Sequence, residues 1–383
     1  MIRLVTNLFL ILLLVLSVGC GGGSGGESST STTVTVESSP LAAGGNHTIA
    51  LKSNSTIWAW GLNNFGQLGD GTFTNRLFPE QIGVGTNWAA VFAGGNHTIA
   101  LKSDGTLWAW GLNASGQLGD GTFTNRSVPE KIGASTNWFA VSAGGNHTMA
   151  LKSDGTLWAW GLNTSGQLGD GTFNISSAPE QIGAATNWTA VSAGGSHTIA
   201  LRSDGTLWAW GFNNSGQLGD GTFDGKTVPE RIGVATNWTA VSAGSNHTIA
   251  LKSDGTIWAW GLNNSGQLGD GTFDGKTIPE QIDPGTNWVA ISAGGNHTIA
   301  RKSDGTLWAW GLNTSGQLGD RTVTNQNFPE QIGMLTNWTT LSAGGNHSTA
   351  MKTGSTLWTW GLNTSGQLGD GTTTNRTVPE QIQ

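Results

Sequence analysis

The sequence contains no tyrosine, a single cysteine and few charges, with Asp, Glu, Lys and Arg making up 11 % of 383 residues. The missing Tyr excludes every mechanism that needs a phenol. One Cys excludes an intramolecular disulfide and a cysteine-based metal cluster. The few charges sum to −7, so no basic surface invites nucleic acid. No segment shows a convincing helical period. In place of these stand 61 Gly and 20 Trp. Gly-rich, charge-poor chains can be disordered, but disordered segments are poor in aromatics. The composition therefore implies a folded all-β protein with Gly in many tight turns.

The amino terminus reads as an export signal. Arg3 supplies a positive charge, and Leu8 to Leu16 is a nine-residue apolar run, too short to span a bilayer. Gly19 and Cys20 follow it and resemble the cleavage site of a bacterial lipoprotein, whose Cys is lipidated and becomes the new first residue. The only Cys of the chain holds that one position. The expected organisation is a lipoprotein-type signal peptide over residues 1–19, then the lipidated Cys20 and a Gly/Ser/Thr linker over 20–33. Lipid would hold the chain at a membrane surface of the bacterial envelope, outer membrane or cell surface, without spanning it.

Residues 34–383 are seven units of fifty, with no insertion or deletion. Ala-Gly-Gly-Asn-His-Thr begins at Ala43 and recurs with small changes at Ala93, Ala143, Ala193, Ala243, Ala293 and Ala343. Four short strands are expected per unit: Trp88 to Ala93, His97 to Lys102, Thr106 to Gly111, and one around Glu130 to Ile132. Asp104-Gly105 suits a tight hairpin turn. Trp108 and Trp110 leave one face of the third strand, and Leu107 and Ala109 the other. A sheet apolar on both faces must be covered on both. Stacked four-stranded antiparallel sheets satisfy this, and neither terminal unit reads as a polar cap. The expected fold is a closed seven-bladed β-propeller, within the usual four to eight blades. The β-prone run Thr32 to Val36 is a candidate clasp against the last blade.

Residues 100–122, Ala-Leu-Lys-Ser-Asp-Gly-Thr-Leu-Trp-Ala-Trp-Gly-Leu-Asn-Ala-Ser-Gly-Gln-Leu-Gly-Asp-Gly-Thr, resemble the regulator-of-chromosome-condensation repeat. The resemblance covers all seven units and rests on the Gly-x-His-Thr strand start, Trp-Gly-x-Asn and Gly-Gln-Leu-Gly. It implies a seven-bladed propeller and no single activity. The family's namesake is a nuclear exchange factor for a small GTPase, a role that a lipoprotein-type signal excludes. Another member resembles a secreted bacterial inhibitor of β-lactamases, from which no inhibitory residue transfers.

Sites of chemistry are scarce. His47, His97, His147, His197, His247, His297 and His347 fit structural hydrogen bonding; they would bind metal only if their rings converged. Asp70 and its six copies offer one carboxylate per loop, too few for calcium. Ser103 to Trp108 loosely resembles the sialidase Asp-box, but its spacing is wrong and the tyrosine nucleophile is absent. An active site is an asymmetric constellation, whereas nearly every polar residue here is copied about seven times. The expectation is a monomeric, non-catalytic scaffold without cofactor or metal, binding a protein partner and no nucleic acid. The loop before each Pro varies between units and carries Arg76, Arg126, Lys226, Lys276 and Arg376 at one position. These five are the candidate partner-binding residues. The alternatives are an enzyme inhibitor and a glycan-binding propeller, with Trp88, Trp138, Trp188, Trp238, Trp288 and Trp338 as candidate stacking platforms.

Overall fold

A computed structural model describes residues 39–382. Contacts divide the chain into Met1–Thr33 and Val34–Gln383, and all described residues lie in the second unit. The candidate clasp Thr32 to Val36 and the candidate lipidation site Cys20 lie outside the described residues.

Among the described residues, twenty-eight strands form seven four-stranded antiparallel sheets, one per fifty-residue unit. The first blade holds β1 (Leu41–Ala43), β2 (His47–Leu51), β3 (Ile57–Gly61) and β4 (Arg76–Gln81). The second holds β5 (Trp88–Ala93), β6 (His97–Lys102), β7 (Leu107–Gly111) and β8 (Arg126–Lys131). Strands follow chain order in every sheet, so no described strand is exchanged between blades. The protein is an all-β, seven-bladed propeller.

The outer strand starts at Arg126, four residues before the sequence suggests. Pro129 reads as a boundary because it cannot donate to a ladder. On an outer edge that missing donor costs nothing, and it blunts the exposed edge against pairing with another chain. All seven outer strands carry a Pro at this place. Asp104-Gly105 forms the expected hairpin turn, with Gly105 at φ +73°. A side chain at Gly105 would also collide with the Thr136 carbonyl of the following blade.

Both faces of each sheet are covered by neighbours. Trp88, Val91, Ala100 and Trp110 face the first blade, packing on Ile49, Ile57, Ala59, Leu68 and Ile82. The opposite face presents Ile99, Leu101, Leu107 and Ala109 to Trp138, Val141, Ala150 and Trp160 of the third blade. The Trp at the inner-strand start meets both rings of its blade edge-on: Trp88 lies 5.8 Å from Trp108 and 6.2 Å from Trp110.

One seam differs. Among the described residues, the buried apolar set between the seventh and first blades is only Leu41, Ala50 and Trp60, flanked by Trp58, Met351 and Leu357. In sequence, Ser38 stands where the other six units place Trp. Thr349 and Thr359 replace the usual Ile and Ala, donating their buried hydroxyls to the carbonyls of Ser342 (3.1 Å) and Leu368 (2.8 Å). Less apolar area removed from water means a weaker interface. Hydrogen exchange should therefore reach the amides of β1 and of His347–Lys352 about tenfold sooner than those of His197–Arg202. Uniform protection of all blades would contradict a weak seam.

Candidate functional site

Antiparallel order places the loops after the first and third strands at one end of the ring. The hairpin after the second strand and the connector to the next blade lie at the other. On the first face the Gly-Gly turns meet around the axis. Gly45 N donates to Gly94 O at 3.0 Å, Gly95 N to Gly144 O at 3.0 Å, and so on to Gly345 N and Gly44 O at 3.0 Å, except that Ser245 N donates to Gly295 O at 3.3 Å. A shaft of about 150 Å³ lies at the centre, lined by these Ala-Gly-Gly turns. Ser245 is its one departure from seven-fold repetition.

Outside the glycines runs a ring of histidines. Each His Nε2 lies 2.9–3.2 Å from the hydroxyl of the Thr or Ser one blade on, from His47–Thr98 round to His347–Thr48. That hydroxyl spends its only proton on a Gln carbonyl of the histidine's own blade, as Thr148 does on Gln117 O at 2.8 Å. The histidine must then be the donor, so the network assigns the Nε2–H tautomer. In five blades the inner Trp joins the same carbonyl, as Trp160 Nε1 does on Gln117 O at 3.0 Å.

The rings do not converge on a metal. Every Nε2 is engaged, every His is fully buried, and the Nδ1 atoms have no described partner. Among the described residues no group of three or more His, Cys, Asp or Glu could hold a metal ion. Burial drives His47, His97, His197, His247 and His297 down to about 3, and His147 and His347 to about 4. A lowered folded-state value means that the stabilisation is complete above the unfolded value of about 6.5 and is lost as pH falls through it. With seven such groups the loss approaches about 9 kcal/mol per pH unit. Acid unfolding, followed by Trp near-ultraviolet dichroism, should be cooperative and complete by about pH 4. A ring intact at that pH would refute this role for the histidines.

The Leu-Gly-Asp loops are closed by their own side chains. Asp120 accepts from Asn113 Nδ2 at 3.0 Å, Thr122 N at 2.9 Å and Arg126 Nε at 2.8 Å. Burial pushes the Asp120 carboxyl up, but the Thr122, Arg126 and Asn113 bonds outweigh it and hold it below its ordinary value. The five candidate basic residues are thus the counter-ions of these aspartates. Arg76, Arg126 and Arg376 lie 2.6–2.7 Å from their Asp, and Lys226 and Lys276 lie 3.3–3.4 Å away. All but Arg126 also reach a Glu four residues on. They share one face as expected, with their charge already matched. Ser176 and Gln326 stand at this position in the other two blades, and Gln326 donates to Asp320 at 3.3 Å. Asp120→Ala orphans a half-buried guanidinium and should cost about 2–4 kcal/mol in thermal unfolding, against about 1–2 kcal/mol for Asp170→Ala, which has no cation to orphan. Equal costs would show that the ion pair contributes nothing.

On the opposite face the candidate sugar platforms are not available. Trp88, Trp138, Trp188, Trp238, Trp288 and Trp338 are only 2–6 % exposed. A cation covers the rings at each site: Lys102 Nζ lies 4.8 Å from the Trp88 ring and 3.9 Å from that of Trp108. Alternation along a strand could not reveal this, because the covering groups come from other strands of the same blade and from the previous blade.

The profile described as "RCC1-like domain" matches residues 19–239. That described as "Regulator of chromosome condensation (RCC1) repeat" matches 254–301, 304–351 and 355–383, and a second repeat profile matches 238–267, 288–317 and 338–367. No curated protein sequence matches the chain significantly. Among solved structures, human WBSCR16 is 21 % identical with a TM-score of 0.78, over 86 % of this chain and 94 % of that one. Yeast RCC1 (Prp20), solved with Kap60 bound to it, is 22 % identical with a TM-score of 0.77, over 96 % and 91 %. Prp20p from Saccharomyces cerevisiae, in a study of its binding to Gsp1p and histones, gives 22 % and 0.75, over 92 % and 88 %. At these identities the likeness concerns the fold.

Proposed function

The chain belongs to the RCC1-like domain family, and on that premise we propose that it is a non-catalytic protein-interaction scaffold of the cell envelope. The observation that carries this reading is where the polar groups are engaged. The seven histidines, the Thr hydroxyls and the loop aspartates are each taken up by bonds within the ring, repeated blade by blade. Catalysis needs differently placed groups converging on one point, and repetition works against such asymmetry. Binding needs only a rigid surface carrying variable loops. Relatives solved with, or studied for, the protein partners Kap60, Gsp1p and histones support the same reading. Lipidation at Cys20 would hold the scaffold at the membrane, with the linker setting its reach. Burial of the Trp88 series removes the residues that motivated a glycan-binding reading.

Pull-down from envelope extracts should recover a specific protein. Its capture should change when Arg76, Arg126, Lys226, Lys276 and Arg376 are changed together to Gln, the residue the sixth blade already carries there. No specific capture would overturn the scaffold reading, and unchanged capture would remove these five residues from the interface. Separately, Cys20→Ser should release the protein from membranes. Continued anchoring would overturn the lipoprotein assignment.

A further inference from the structure

The first face carries a second pattern that its ion pairs do not require. Phe73, Phe123, Phe173, Phe223 and Phe273 are 51–62 % exposed, and Val323 holds the same place in the sixth blade. A second set comes from the outer strands, where Phe78 and Phe328 are 65 % and 60 % exposed. The two sets interleave. A side chain added at Gly71 of the first blade would lie 3.8 Å from Val128 of the second, and one at Gly271 would strike the Phe328 ring. Six of the seven loops thus carry an exposed apolar side chain of their own, most of them beside one from the next blade, and Thr373 takes that place in the seventh. Equivalent positions of a closed ring lie on one face, so these side chains form an apolar belt along that face, open at the seventh blade. Single exposed hydrophobes are ordinary on a protein surface; a row of them along one face marks an interaction site.

Charge selects the occupant. Over residues 70–80 and their copies, each unit supplies two carboxylates, and the fourth and fifth add Asp224 and Asp274, giving sixteen against six cations. The remaining described residues hold ten cations and six carboxylates. Negative charge is thus concentrated around the apolar belt. A second copy of this face, or an anionic bilayer, would bring like charge against like. A basic polypeptide bearing apolar side chains meets both features at once.

We propose that this face, between the Phe73-type loops and the outer strands, docks a basic amphipathic segment of a partner protein. This deepens the scaffold reading and rests on it. The apolar side of the segment would cover the phenylalanines, and its Lys and Arg would meet the exposed carboxylates, Asp224, Asp274 and the outer-strand glutamates.

The test titrates the purified chain with a fluorescent helical Leu/Lys peptide that carries all its Leu on one side. Ser/Lys and Leu/Glu peptides of the same length serve as controls. The Leu/Lys peptide should bind at least about tenfold more tightly than either control, and more weakly as salt rises. Changing Phe73, Phe123, Phe173, Phe223 and Phe273 together to Ser should weaken it about tenfold or more while leaving the melting temperature unchanged, because these rings already face solvent. Equal binding of the Ser/Lys and Leu/Lys peptides would overturn the proposal by reducing it to charge alone. Undiminished binding to the Ser variant would overturn it by moving the contact elsewhere. An envelope partner captured equally by the Ser variant would overturn this docking site and leave the scaffold reading standing; absence of any captured partner would count against the scaffold reading itself.

Discussion

The ring depends on one relay repeated at each blade boundary. A histidine of one blade donates to the hydroxyl of the next, which donates back to a Gln carbonyl of the first blade. Fully buried polar groups are costly unless partnered, and here each finds its partner only when the neighbouring blade is in register. The relay thus does what an exchanged strand does in other closed rings: it makes each blade incomplete without the next. The last link, His347 to Thr48 with Thr48 to Gln367 O, closes the circle by the same chemistry at 2.9 and 2.8 Å.

Several features of the fifty-residue formula follow from this relay. Gly119 is at φ +78° where a side chain would strike Trp160, the ring that donates to Gln117. Asn113 holds the loop by accepting from Leu118 N and donating to Asp120, which keeps Gln117 in place. An insertion anywhere between His97 and Gln117 would shift one partner against the other. That is a physical reason why the spacing from His97 to Gln117 is the same in every unit. The outer loop beyond Asp120 is under no such constraint, and there the units diverge.

The two faces consequently have different characters. One carries lysines and an arginine lying over indole rings beside hairpin turns. The other carries the relay at its centre and, further out, ion pairs, surplus carboxylates and exposed phenylalanines. The relay is concentrated near the axis and the variable loops near the rim, so the rim can vary without loosening the ring.

Much of this was legible in the sequence. The unit length, the inner strands, the hairpin at Asp104-Gly105 and the two-sided burial of Trp110 and Ala109 follow from local pattern, because side-chain alternation and turn chemistry act between near neighbours. The outer strand was only partly legible, since Pro129 is a boundary signal everywhere except on an edge. Lys102 reads locally as a solvated charge and Trp88 as an available ring; only the third dimension puts one over the other. Arg126 reads as free because its counter-ion Asp120 lies across a loop, at a spacing no strand or helix period marks.

The sequence by itself determined the number of blades, their strand content and the register within each sheet, because these rest on contacts between residues close along a unit. Tertiary structure alone decided which atoms join blade to blade, which charges are already matched and which apolar side chains stay in water. Those outcomes depend on pairs such as Gly271 and Phe328, brought together by the stacking of neighbouring blades, and Gly345 and Gly44, brought together by closure of the ring.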